Sequence, residues 1–244
     1  MSCLEIQHVS KRFGGLMAIN DVSFSVKPGA VTFVVGPNGA GKTTLFNLIT
    51  GVCHPDSGSI HFEGREISKL APNQAAQIGI GRTFQLVKPL RNLTVLENVM
   101  LGAFLRTAKP ATAEKEAARV LRFLEMEKVM YFSARGMGLP MLKRLEIARA
   151  LATQPKLILL DEVVAGLPTS EAIKLAMILK RLPEWGISTV GGIEHVMQVV
   201  MRVADRVIVL DHGTLIAEGE PQDVVHRPEV IEAYLGSKYK EIAL

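Results

Sequence analysis

The chain has 244 residues, a formal net charge of +4 and two cysteines. That length allows one large domain, or one domain carrying an inserted lobe, and it can bury a core without staples. Lys and Arg are scattered rather than blocked, which argues against a nucleic-acid partner, and no apolar run approaches the roughly 18 residues of a membrane span. Cys3 and Cys53 share no motif, which suits a reducing compartment, and Met1–Glu5 reads as the lead into a strand rather than a signal peptide. A hydrophobic share of 48% is high for a chain with few aromatics, so some apolar surface is expected to face partners.

In chain order, residues 4–35 alternate and break like a small β-meander, with a turn at Lys27-Pro28-Gly29. Val31–Val35 is apolar and β-prone, as a buried strand should be. It runs into Gly36-Pro37-Asn38-Gly39-Ala40-Gly41-Lys42-Thr43, which fits G-x-x-x-x-G-K-[ST]. Residues 43–50, from Thr43 and Thr44 onward, suit a helix. Strand, glycine-rich turn and helix is the context this motif needs. Its glycines let backbone N–H groups turn inward around phosphate oxygens, and the helix N-terminus adds partial positive charge. Lys42 is expected to reach the β/γ-phosphates and Thr43 to hold Mg²⁺.

Residues 51–64 carry turn chemistry around a short strand at 59–62. From about residue 86 to 152, helical periodicity replaces strand signals. Ala117, Val120, Leu121 and Leu124 fall on one face. The βαβ rhythm returns at residues 156–160, then with a helix near 170–182 and strands at 187–193 and 206–210. The reading is an α/β core, residues 1–244, interrupted by a helical lobe at about 86–152.

Leu157–Leu160 followed by Asp161 and Glu162 is an apolar strand ending in two carboxylates. In a parallel sheet the strand's carboxyl end faces the ligand crevice. Asp161 is placed to take Mg²⁺, and Glu162 to polarise an attacking water. Alone, such a pair is better read as a helix N-cap after a strand; beside a phosphate loop, it is better read as a hydrolytic site. Gln85 and His195 could join it. An amide can coordinate Mg²⁺ and the lytic water, and a histidine can donate to the γ-phosphate, although taken alone each is better read as a surface or capping residue.

With these residues in order, the chain resembles the ATP-binding subunit of an ABC transporter, most similar to the subgroup serving branched-chain amino-acid importers. Residues 10–16 resemble the segment whose aromatic, here Phe13, stacks on adenine. Gly79-Ile80-Gly81-Arg82-Thr83-Phe84-Gln85 resembles the glutamine loop, and residues 144–151, 204–210 and 230–236 match further family segments. The resemblance implies a P-loop NTPase core, an antiparallel β subdomain and an inserted helical lobe. It implies ATP and Mg²⁺ bound by Phe13, Gly36–Thr44, Gln85 and Asp161, with Glu162, His195 and Gln85 catalytic. It implies a homo- or heterodimer of such subunits on transmembrane permease partners, with an external solute-binding protein. The place implied is the cytoplasmic face of the membrane, as a peripheral subunit.

One segment departs from the family pattern. The signature Leu-Ser-Gly-Gly-Gln should fall at 137–141, which reads Met137-Gly138-Leu139-Pro140-Met141. The hydroxyl is gone, and Pro140 removes one N–H, although it can still fit the first helical turn. Val163, Pro168 and Val196 also replace the usual residues. Two further readings are a low-turnover nucleotide switch or scaffold with a degenerate signature, and a soluble relative acting on DNA or ribosomes.

Overall fold

The computed structural model describes residues 2–83, 88–192 and 197–235. The chain opens with a hairpin, β1 (Leu4–Phe13) and β2 (Leu16–Val26), then enters β3 (Val31–Val35), the phosphate-loop segment and α1 (Lys42–Ile49). β4 (Ser57–Phe62), β5 (Arg65–Glu66), α2 (Pro72–Ile78) and β6 (Ile80–Arg82) follow. Three helices come next: α3 (Val95–Ala103), α4 (Pro110–Phe123) and α5 (Leu139–Ala152). β7 (Leu157–Asp161), α6 (Thr169–Leu179), β8 (Ser188–Gly192), α7 (Met197–Val203) and β9 (Arg206–Asp211) restore the alternating rhythm, and β10 (Thr214–Gly219), α8 (Pro221–Val224) and α9 (Pro228–Leu235) complete it.

Two sheets result. The antiparallel sheet has order β2-β1-β4-β5, and the larger one has order β10-β9-β3-β8-β7-β6. Within the larger sheet β3 pairs in parallel with β8 and β9, β7 with β8 and β6, and only the edge strand β10 runs antiparallel. The expected meander over 4–35 is therefore corrected. β1 and β2 form a hairpin, but β3 leaves it for the parallel sheet, where it is buried on both faces and has no solvated face to offer an antiparallel edge.

Every residue of β3 and β7 is buried, and each strand divides its side chains between two cores. Phe33, Val35, Ile158 and Leu160 pack with the helices of the lobe and α6. Val34, Leu157 and Leu159 pack with α1 and the antiparallel sheet. The lobe's helices bury the face read from periodicity: Ala117, Val120, Leu121 and Leu124 are fully enclosed. α3 starts on a capping box, in which Thr94 Oγ1 accepts from Glu97 N at 3.1 Å and Glu97 Oε2 accepts from Thr94 N at 2.7 Å.

Candidate nucleotide site

The parallel register brings the candidate residues to one end of the sheet. Val34 and Asp161 both pair with Gly192 of β8, so the carboxyl ends of β3 and β7 flank that of β8. The phosphate-loop segment leaves β3, and the acidic pair lies at the end of β7. Gln85 and His195 lie outside the described residues.

Glycine is required at two points of the loop. Gly36 has φ +151, and a methyl group there would run into the carbonyl of Leu210. Gly41, the residue before α1, has φ +102, and a Cβ there would sit 2.5 Å from Ala18 O. No side chain caps α1. A helix start without a side-chain cap suits an anion, which the N-terminal partial positive charge favours. Lys42 is 7% exposed, and its Nζ donates to Gly36 O at 2.7 Å and Pro37 O at 2.8 Å. The ammonium lies folded over its own loop, within reach of whatever the loop encloses. Phe13, at the end of β1, is 49% exposed, with Lys11 Nζ 5.5 Å from its ring centre. A half-exposed aromatic on a tight turn leaves a ring face available for a base.

Asp161 is buried, whereas Glu162 is only partly so. Thr43 and Asp161 line one cavity of about 780 Å³, which extends to Leu101, Glu146 and Arg149 of the lobe. Among the described residues no cluster of three or more His, Cys, Asp or Glu could hold a metal. One hydroxyl and one carboxylate are the donor set of a hard cation that keeps water and substrate phosphates as its other ligands, which fits Mg²⁺ and does not fit a caged Zn²⁺.

Four residues that sequence reasoning passed over build this site. Arg82 donates to Asp161 Oδ2 at 3.0 Å, and Asn47 accepts from Arg82 at 2.7 Å. Lys143, only 4% exposed, donates from Nζ to Glu162 O at 3.0 Å. That carbonyl belongs to a left-handed residue, φ +49, a conformation that costs about 1–3 kcal/mol outside glycine. The lysine's charge-assisted bond helps hold the turn. Asn98, fully buried, donates to Leu90 O at 3.0 Å and Thr94 O at 2.8 Å, tying the segment after residue 87 to the lobe. The available signal was charged or amide residues at buried or half-buried positions of α1, β6, α3 and α5, whose partners could not be read without the fold.

Around the departed signature, α5 begins at Leu139 with Pro140 in its first turn, and no side chain caps it. Met137 and Met141 pack against the lobe's core, while Leu139 is 42% exposed. The segment thus offers methionines inward where a donor to phosphate was sought.

A family model described as ABC transporter matches residues 19–165, and one described as branched-chain amino acid ATP-binding cassette transporter matches residues 214–240. The chain belongs to the ABC transporter family. It is 37% identical to the high-affinity branched-chain amino acid transport ATP-binding protein LivG of Escherichia coli K12, over 96% of this chain and 97% of that one. A crystal structure of the ADP conformation of an ATP-binding cassette of an ABC transporter superposes with a TM-score of 0.88 at 33% identity, covering 97% of this chain and 100% of that chain. A dimeric cassette in a post-hydrolysis state, bound to ADP and Pi, matches with a TM-score of 0.79 at 26% identity over 89% of this chain and 98% of its own. The P-loop core, the antiparallel sheet and the helices between β6 and β7 are those of an ABC cassette, a nucleotide-binding unit that couples ATP hydrolysis to transport. Among the described residues no helix is long and apolar enough to cross a membrane.

Proposed function

We propose that this chain binds Mg-ATP and hydrolyses it to drive import of branched-chain or related amino acids, as a peripheral subunit on the cytoplasmic face of its permease. The observation that carries the reading is the placement of Gly36–Thr44, Asp161 and Glu162 at the carboxyl ends of the two strands that flank β8, in a chain whose relatives are transport ATP-binding proteins. Lys42 and the N–H groups of Gly39–Thr44 hold the β- and γ-phosphates, and Phe13 carries the adenine. Thr43, Asp161 and Gln85 would hold Mg²⁺, which would supply charge compensation for the phosphates. Glu162 takes the proton of the attacking water at its carboxylate, and His195 donates to the γ-phosphate.

Closure of a dimer would complete the site, a reading supported by the dimeric relative bound to ADP and Pi, and the second subunit's signature would cover the γ-phosphate. This chain's own half is complete, whereas Met137–Met141 lend a partner no hydroxyl. Of the homo- and heterodimer that the sequence leaves open, the missing hydroxyl favours an asymmetric heterodimer, in which this chain's site would turn over against a partner's intact signature. The low-turnover switch is not favoured, because the chain matches transport proteins along nearly its whole length. The cavity between α2, α3 and α5 would receive a cytoplasmic helix of the permease, and an external solute-binding protein would deliver the amino acid. The test is amino-acid uptake by cells or vesicles carrying the transporter. Lys42→Ala is expected to abolish uptake, and uptake at the wild-type rate in that variant would reject the reading.

A further inference from the structure

Arg82 ends β6, and its side chain is 7% exposed against 9% for that of Asp161. Its two terminal nitrogens point in different directions. Nη2 donates to Asp161 Oδ2 at 3.0 Å, while Nη1 donates to Asn47 Oδ1 at 2.7 Å and to Thr50 Oγ1 at 3.2 Å. The ring of Phe46 lies 5.8 Å from the guanidinium carbon. Phe46 and Asn47 belong to α1, which Lys42 and Thr43 open, and Thr50 follows its last residue. One planar cation therefore joins the end of β7, the phosphate-loop helix and the strand that leads into residues 84–87.

We propose that Arg82 is a positioning residue for the metal: by engaging Oδ2 it fixes the Asp161 carboxylate so that Oδ1 is presented to the cavity shared with Thr43. The inference rests on the reading of Asp161 as a Mg²⁺ residue. Among the described residues no hydrogen bond is made to Oδ1, and Asp161 and Thr43 line the same cavity. The anchorage on α1 gives the arrangement its direction. Because Asn47 and Thr50 hold Nη1 independently of Asp161, the guanidinium stays in place when a second cation approaches. A planar fork fixed at both ends has little rotamer freedom left to lose, whereas a lysine could engage only one end at a time. A buried carboxylate stripped of the arginine would be left uncompensated and would turn toward another partner. The rival account is competition, in which the arginine repels Mg²⁺ from Asp161 and its removal tightens metal binding.

The two accounts predict opposite signs. Binding of a fluorescent ATP analogue to the full chain is titrated with MgCl₂, and repeated in EDTA to isolate the metal-independent part. Groups that hydrogen-bond to a metal ligand typically set about 10–100-fold in metal affinity. R82M is expected to raise the Mg²⁺ concentration for half-maximal metal-dependent binding roughly tenfold, while binding in EDTA stays within about twofold. R82K should recover part of the loss. N47A, which frees only the α1 end, should shift it in the same direction by less, and it keeps the test open if R82M does not fold. In a D161N background R82M should add nothing. An unchanged or lowered Mg²⁺ requirement in R82M and N47A would overturn the inference. If D161N itself leaves the Mg²⁺ dependence unmoved, the metal role of Asp161 falls instead, and if the wild-type chain binds no ATP, the proposed function falls.

Discussion

At the scale of single residues, the site is assembled from buried charges with specified partners. Lys42 hydrogen-bonds its own loop carbonyls, so a phosphate would take over contacts the ammonium already makes locally. Lys42→Ala removes a charge-assisted donor worth about 1.5–3 kcal/mol, which corresponds to roughly 10–100-fold weaker ATP binding. Equilibrium binding of a fluorescent nucleotide measures it. Lys143 acts one step further out, through the Glu162 carbonyl. Lys143→Met is expected to lower kcat about tenfold, the cost of one charged hydrogen bond at the strained turn, while KM for ATP stays near wild type because the phosphate loop is untouched. Steady-state kinetics separates the two constants, and Lys143→Arg should restore part of kcat. The motif residues were legible because their spacing is a local property of the chain. Arg82, Asn47 and Lys143 were not, since their partners lie 79, 35 and 19 residues away and only the tertiary fold brings them together.

At the scale of elements, long periodic segments were readable and short ones were not. α4 has enough turns to repeat its apolar face, and that face is the buried one. β6 spans three residues, too few for any period, and it exists because β7 offers an open parallel edge. β3 was read as a strand yet placed in the wrong sheet, because partner choice is decided by burial on both faces rather than by the strand's own residues. The start of α3 depends on Glu97, whose carboxyl is held below its ordinary range first by the backbone N–H of Thr94 and then by its hydroxyl. A depressed native value means that the carboxylate's contribution is present above about 4.5, the unperturbed value, and is lost as pH falls through the depressed one. Glu97→Gln should therefore lower the melting temperature at pH 7 and leave it unchanged once pH is well below 4.5. Thermal melts of both proteins across that range check the sign.

Besides Lys143, a second charged side chain of α5 ties the lobe together and to α6. Arg144 donates from Nη1 to Leu124 O at 2.9 Å, and its nitrogens lie 3.5 Å from Glu125 and 3.9 Å from Glu171. Arg144→Met would strand a buried carbonyl and is expected to destabilise the chain by about 1–3 kcal/mol, read from urea unfolding.

At the scale of the whole molecule, the fold class was legible from the alternation of strand and helix signals around the phosphate loop, and it is the fold of the ABC family. What the molecule does with a partner was legible only in part, because in the proposed dimer each site would be built from two chains and one sequence describes half of it. In that proposal the half held here converges on Asp161 and Glu162, and the half lent to a partner would present Pro140 beside two inward-packed methionines. Function thus rests on whether Glu162 drives hydrolysis in the assembled transporter. The direct measurement is Mg-ATP turnover by the transporter complex purified through this chain, wild type against Glu162→Gln, with ATP binding followed in both. The account predicts turnover at least about 100-fold lower in the variant, the usual worth of a general base, with ATP binding retained. Equal turnover in the two proteins would contradict it.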